Sequence, residues 1–273
     1  MIHTAKSKRI KKSNLDKIQN LRLFDDEFLR EVFSGNIGAT ELLLNVIFDR
    51  DDITVISVIS QREIKELEGH SVRLDIVAED REHHVFNVEI QRRGGKQLPF
   101  RSRYCSSLLD TTLLKEGEDY SCLVPTYVIF FMETDTIGEG LPIYHYIMKE
   151  KHTGKRLGDE RHIIFINGAN KDERTLIGKL VHDFHCTKAD DMYFKTLAKR
   201  VRYFKETERG REHMSSIFEE YAQDVAIDTA IDTYRECGFD DEKITERIMA
   251  KYDLSREEAE NYVAESYEED EEE

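Results

Sequence analysis

Asp75 and Glu89 stand fourteen positions apart on two short stretches, residues 72–79 (Val-Arg-Leu-Asp-Ile-Val-Ala-Glu) and 85–91 (Val-Phe-Asn-Val-Glu-Ile-Gln). Each stretch alternates apolar and polar residues, the pattern of a β-strand with two unlike faces. Leu74, Ile76, Ala78, Phe86, Val88 and Ile90 are apolar at even positions, whereas Asp75, Asn87, Glu89 and Gln91 occupy odd ones. The polar turn Asp80-Arg81-Glu82-His83 joins the two as an antiparallel hairpin. A one-residue slip would send every side chain to the wrong face. Paired numbers must therefore sum to an even value, and the register that closes a short turn sets Asp75 opposite Glu89, with Gln91 next on that face. Directly opposed Cβ atoms lie ~4.5–5.5 Å apart, and like charges so placed destabilise a sheet by up to ~1 kcal/mol. Two arrangements relieve the repulsion. A hard divalent cation such as Mg²⁺ takes one or two carboxylates together with waters and substrate phosphate oxygens; alternatively, Arg73 or another base forms an ordinary ion pair with them.

The surrounding pattern supplies the elements that would position this hairpin. Phe24-Asp25-Asp26-Glu27-Phe28 opens a helix in which Phe24, Phe28 and Val32 recur every four residues. Thr40 is expected to cap a second helix, Glu41 to Phe48. Residues 54–60 read as a strand, Arg101 to Leu114 as a helix, and Tyr127 to Met132 and His162 to Ile166 as buried strands. From Leu176 onward the periodicity is helical, with long helices over 190–206 and 211–236. Two short ones follow over 241–251 and 255–265, for which Asp240 and Ser255 are caps. The expected organisation is a basic, flexible arm over 1–20, an α/β core over 21–175, a helical region over 176–265 and an acidic, disordered tail over 266–273.

The 273 residues carry 40 Lys and Arg against 56 Asp and Glu, a net charge of −16. Ten of the acids lie in residues 257–273, which contain no base, and six bases accompany a single acid in residues 1–20. Bulk acidity therefore does not exclude a polyanionic ligand. No run approaches the ~18 apolar residues of a membrane span, so no membrane partner is expected. Cys105, Cys122, Cys186 and Cys237 are scattered, as in reduced thiols of a cytoplasmic protein. The cluster His182-Asp183-Phe184-His185-Cys186 is read as structural, because Leu180, Val181 and Phe184 make one buried helix face.

Asp75 followed by Glu89-Ile90-Gln91 resembles the D…(D/E)-x-K arrangement of PD-(D/E)xK nucleases, with Gln91 in the Lys position. Around it stand Phe24-Asp25-Asp26-Glu27-Phe28, Glu41-Leu42-Leu43, Ser71-Val72-Arg73-Leu74-Asp75-Ile76, Arg101-Ser102-Arg103-Tyr104, Gly117-Glu118-Asp119-Tyr120 and Tyr127-Val128-Ile129-Phe130. In this order and spacing, over roughly residues 20 to 215, they resemble the Rpn (recombination-promoting nuclease/transposase) family, a branch in which Glu-x-Gln is usual.

The resemblance implies an α/β restriction-endonuclease-like core, a central mixed sheet flanked by helices, with an all-helical C-terminal appendage. It implies that Asp75, Glu89 and the main-chain carbonyl of Ile90 hold Mg²⁺ or Mn²⁺, and that Gln91 orients the attacking water or contacts the scissile phosphate. Glu41 is either a further metal ligand or a first-turn acid that favours the helix dipole. Arg101 and Arg103 would bind DNA phosphates, whereas Tyr104 belongs to the core. The function so implied is a metal-dependent DNA endonuclease that promotes DNA recombination. The rival is a catalytically weak or inactive nuclease fold that binds DNA or protein; a third reading has the acidic tail imitate nucleic acid. Self-association is left open.

Overall fold

The computed structural model describes residues 10, 12–64, 72–92 and 95–270. Ser71, the basic residues Lys6, Lys8, Arg9 and Lys11, and the last three residues of the acidic tail lie outside the described residues, as does the Arg73 side chain. The chain divides into two compact units, Gln19–Glu206 and Met1–Ile18 with Thr207–Glu273.

The first unit is built on six strands: β1 (Val55–Ile64), β2 (Val72–Asp80), β3 (Val85–Gln91), β4 (Thr126–Met132), β5 (Ile143–Tyr146) and β6 (Arg161–Asn167), in the order β1-β2-β3-β4-β6-β5. Strands β1, β2 and β3 run antiparallel, β3, β4 and β6 run parallel, and β5 closes the edge antiparallel to β6. The result is a mixed sheet flanked by helices, the restriction-endonuclease-like arrangement. The β2–β3 pairs Ile76↔Val88, Val77↔Asn87 and Ala78↔Phe86 are those that the alternation requires. Central β4 is buried on both faces, as its apolar sequence dictates. Edge strand β5 has only four residues and leaves too short an alternation to stand out in the sequence.

One face of the sheet is covered by α4 (Leu98–Leu113), whose Leu98, Cys105, Leu108 and Leu109 pack with Val77, Val85, Val128, Phe130 and Met132. Pro99 sits in the first turn of α4, where a missing N–H costs nothing; the helix therefore starts three residues before the expected Arg101. On the other face lie α2 (Asp26–Phe33), α3 (Ile37–Phe48), α5 (Leu176–His185) and α6 (Lys195–Glu206). Phe131 stacks on Phe184 at 4.3 Å and Phe48 meets Phe86 edge-on at 5.8 Å, each such pair contributing ~0.5–1.5 kcal/mol beyond its buried area.

Helix α3 begins at Ile37, earlier than the Thr40 cap suggests. Asn36 Oδ1 accepts from Ala39 N–H at 3.2 Å, while Thr40 lies within the helix and its hydroxyl donates to the Asn36 carbonyl at 3.1 Å. Asn is among the strongest caps, and Gly35 at φ +59° supplies the turn that precedes it.

Two polar groups tie the helices. Asp183, fully buried, accepts from the main-chain N–H groups of Tyr193 (2.7 Å) and Phe194 (2.9 Å) just before α6. Lys205 Nζ, also buried, donates to the carbonyls of Gln19, Leu21 and Thr187, and burial pushes its pKa down to about 8.

In the second unit, α7 (Glu208–Glu236), α8 (Asp241–Tyr252) and α9 (Arg256–Asp270) enclose Ile227, Ile231, Ile244, Ile248, Ala259 and Val263. Asp240 caps α8 through Lys243 N–H, and Ser255 forms a reciprocal capping box with Glu258. Helix α1 (Lys12–Asn20) lies mostly in this unit, with Asn14 bonded to Ser215 at 2.9 Å. Among the described residues no helix is long and apolar enough to cross a membrane.

Candidate active site

Strands β2 and β3 part company at Asp75 and Glu89. The last backbone pair is Ile76↔Val88, and one step further the carboxylates stand in for the ladder. Asp75 N–H donates to Glu89 Oε1 at 3.1 Å, and Ile90 N–H donates to Asp75 Oδ2 at 3.3 Å. Glu89 is fully buried and Asp75 only 8% exposed. Burying two acids in contact disfavours their charged forms. Burial, and then the charge of Asp75, pushes Glu89 up to about 7. Burial also raises Asp75, against the pull of Arg30, the Ile90 N–H and Arg101.

Two guanidinium groups offset part of this charge. Arg30 Nε lies 3.3 Å from Asp75 Oδ1. Arg101, in the first turns of α4, forks between Glu89 Oε2 (3.3 Å) and Gln91 Oε1 (3.2 Å) with its plane over Phe130. Gln91 is thus brought beside Glu89 by the same residue that neutralises it.

A third acid, on the neighbouring helix, feels the charge of Asp75. Asp26 opens α2 one turn before Arg30, so both project from one helix face. Burial and then the charge of Asp75 raise its pKa to about 6, and its buried Oδ1 has no hydrogen-bond partner. The motif Phe24-Asp25-Asp26-Glu27-Phe28 is visible in the sequence, but its periodicity speaks only of a helix start. Which acid turns toward Asp75 depends on how α2 packs on β2. The rim is likewise tertiary: Arg92 bridges Asp25 (3.1 Å) and Glu133 (3.3 Å), and Arg22 reaches Glu133 at 2.7 Å.

The other expected positions lie apart from this cluster. Glu41 Oε2 accepts from Val55 N–H at 3.1 Å, and Val55 pairs with Asp80, five residues or ~16 Å along β2 from Asp75. Since α3 starts at Ile37, Glu41 is past the first turn as well; its carboxylate terminates β1. Arg103 is exposed and lies over the Phe100 ring, and Tyr104 packs against the core beneath α4. Cys105 is buried under α4, where burial and the charge of Glu89 push its thiol up to about 12, too high for a nucleophile.

Among the described residues, two clusters have ligand atoms close together, His182/Asp183/Cys186 and Asp80/Glu82/His84. In the first, both Asp183 oxygens hold main-chain N–H groups. In the second, Asp80 Oδ1 takes the N–H groups of Glu82 and His84 to close the β2–β3 turn. Asp75 and Glu89 instead offer an all-oxygen, hard donor pair of the kind Mg²⁺ or Mn²⁺ accepts, and on the neighbouring helix Asp26 Oδ1 has no hydrogen-bond partner.

No curated protein and no solved structure matches this chain. Over residues 30–256, however, it matches the family model described as PD-(D/E)XK nuclease family transposase. That span contains Arg30, Asp75, Glu89, Gln91 and Arg101 and begins just after Asp26, and by this match the chain belongs to the PD-(D/E)XK nuclease family transposases.

Proposed function

We propose that the protein is a divalent-metal-dependent DNA endonuclease whose cleavage serves DNA recombination in the cytoplasm. The observation that carries this reading is the meeting of Asp75 and Glu89 at the strand fork, beside Gln91 and Arg101. Asp75 and Glu89 would hold Mg²⁺ or Mn²⁺ with the Ile90 carbonyl, and Asp26 takes the further-ligand role once expected of Glu41. The bound cation supplies Lewis acidity toward the phosphodiester and its attacking water.

The chain's own residues do the remainder. Arg101 turns from Glu89 to a phosphate oxygen, where its fork matches the geometry of the anion. Gln91, released from Arg101, keeps an amide directed at the water or the phosphate. An amide carries no positive charge, so stabilisation of the transition state rests more heavily on Arg101, and turnover is slow.

The two guanidinium groups already on the acidic pair favour one rival, a non-cleaving DNA-binding module in which Arg30 and Arg101 permanently occupy the cation's role. Cleavage of supercoiled plasmid decides between them, with Mg²⁺ or Mn²⁺ against EDTA and with Asp75→Ala and Glu89→Ala checked for folding by circular dichroism. Metal-dependent nicking lost in both folded variants supports the endonuclease. Equal nicking by the wild type and both variants rejects this site, and DNA binding without nicking favours the module.

A further inference from the structure

A groove of about 640 Å³ opens between the α2–α3 turn and α6, lined by Ser34, Gly35, Asn36, Lys195, Thr196, Lys199, Arg200 and Tyr203. Its lining contains three cations and no acid, in a chain whose net charge is −16. Lys195 and Lys199 are exposed, and no carboxylate among the described residues pairs with either. Arg200 is held in place: its guanidinium donates to the carbonyls of Glu31 (3.2 Å) and Val32 (3.3 Å) and lies 4.8 Å from the Phe204 ring. The N-termini of α3 and α6 both border the groove, adding partial positive charge at either wall. Unpaired lysines one helical turn apart, beside a fixed arginine, make a surface for a repeating anion.

Helix α2 borders both the groove and the acidic fork. Arg30, which meets Asp75 at 3.3 Å, and Ser34, at the groove's edge, are four residues apart on α2, ~6 Å of helix. The Ser34 hydroxyl lies 2.9 Å from that of Ser60, and Ser60 pairs with Ile76, the neighbour of Asp75. A duplex held at Asp75 and Glu89 would thus have its flanking backbone within reach of the α2 end that borders Lys195 and Lys199.

We infer that this groove binds the sugar-phosphate backbone of double-stranded DNA flanking the scissile bond, an inference that rests on the endonuclease reading above. Such contacts position the duplex without reading its sequence. They also carry a salt signature, since each phosphate neutralised by a lysine releases counterions.

The test is fluorescence anisotropy of a fluorescein-labelled 20-base-pair duplex with the full-length protein in EDTA, over a series of salt concentrations. Lys195→Ala/Lys199→Ala should weaken binding by about tenfold or more at 0.1 M salt and lower the slope of log K against log salt by about two. The control Lys149→Ala/Lys151→Ala removes the same charge from exposed positions elsewhere and should bind like the wild type. Arg200 is left intact because it also closes the end of α2.

The inference is overturned if the groove variant matches the wild type in affinity and slope, if the control loses as much, or if the wild type does not bind the duplex. Parallel plasmid cleavage separates the two readings. Binding that depends on the lysines without any cleavage fails the endonuclease reading alone. Cleavage with lysine-independent binding fails the groove alone.

Discussion

Asp75 and Glu89 are joined through the backbone as well as by proximity: the Asp75 N–H donates to Glu89 Oε1 at 3.1 Å, where the next rung of the β2–β3 ladder would fall. The strands can separate here because side-chain oxygens satisfy backbone donors that would otherwise be left unpaired in the interior. The fork therefore fixes both acids in place, with their other oxygens, Glu89 Oε2 and Asp75 Oδ1, facing Arg101 and Arg30.

Burial makes this fork pH-sensitive. Glu89, raised to about 7, holds a proton in the folded state over a range in which the unfolded chain has released it. That contribution to stability is present below the ordinary glutamate range and is lost as pH rises through about 7. Urea denaturation in EDTA should show the wild type losing roughly 1–3 kcal/mol more than Glu89→Gln between pH 5 and pH 8. Mg²⁺ should restore wild-type stability at pH 8 and not at pH 5. Parallel pH profiles for the two proteins would contradict the assignment.

Asp26 and Glu41 should separate cleanly. Titration of Mn²⁺ followed by electron paramagnetic resonance is expected to show Asp26→Asn weakening binding by roughly tenfold or more, as loss of a ligand or close supporting group does. Glu41→Ala should leave Mn²⁺ affinity unchanged but cost about 1–2 kcal/mol, because it leaves the Val55 N–H without its charged acceptor. A loss of affinity in Glu41→Ala would return that residue to the metal site.

Arg101 spans Glu89 and Gln91, a geometry that only a planar fork provides. Arg101→Ala should lower single-turnover plasmid cleavage by about 100-fold or more. Arg101→Lys keeps the charge but loses the fork and should recover only part of the rate. Full activity in Arg101→Lys would show that charge alone suffices.

The β4–β6 junction depends on one glycine. Gly168 N–H donates to the Met132 carbonyl at 2.7 Å, and a Cβ on Gly168 would stand 2.2 Å from that oxygen and 2.7 Å from the Phe24 ring. Gly168→Ala should destabilise the protein by roughly 2–3 kcal/mol in urea denaturation. A change below ~0.5 kcal/mol would mean that the backbone yields there.

Strand period and turn chemistry are local, and they made much of the core legible. Alternation over 72–79 and 85–91 determined both strands, and with the short turn it determined their register and the approach of Asp75 to Glu89, since a one-residue slip sends the apolar residues to the opposite face. The buried character of β4 and β6 and the caps Asp240 and Ser255 were readable for the same reason. Thr40 misled because a stronger cap, Asn36, lay four residues earlier, and Arg101 because Pro99 extended its helix backward. Glu41 and Asp26 depended on something no local pattern encodes, the rotation at which a helix docks on a sheet. Packing of Phe28, Leu29, Val32 and Phe33 sets that rotation for α2, turning Asp26 and Arg30 toward Asp75. The sequence by itself determined which acids face each other across a hairpin. Only tertiary structure decided which helix acid joins them and which arginines hold their charge, because those neighbours are brought together by burial of apolar faces remote in sequence.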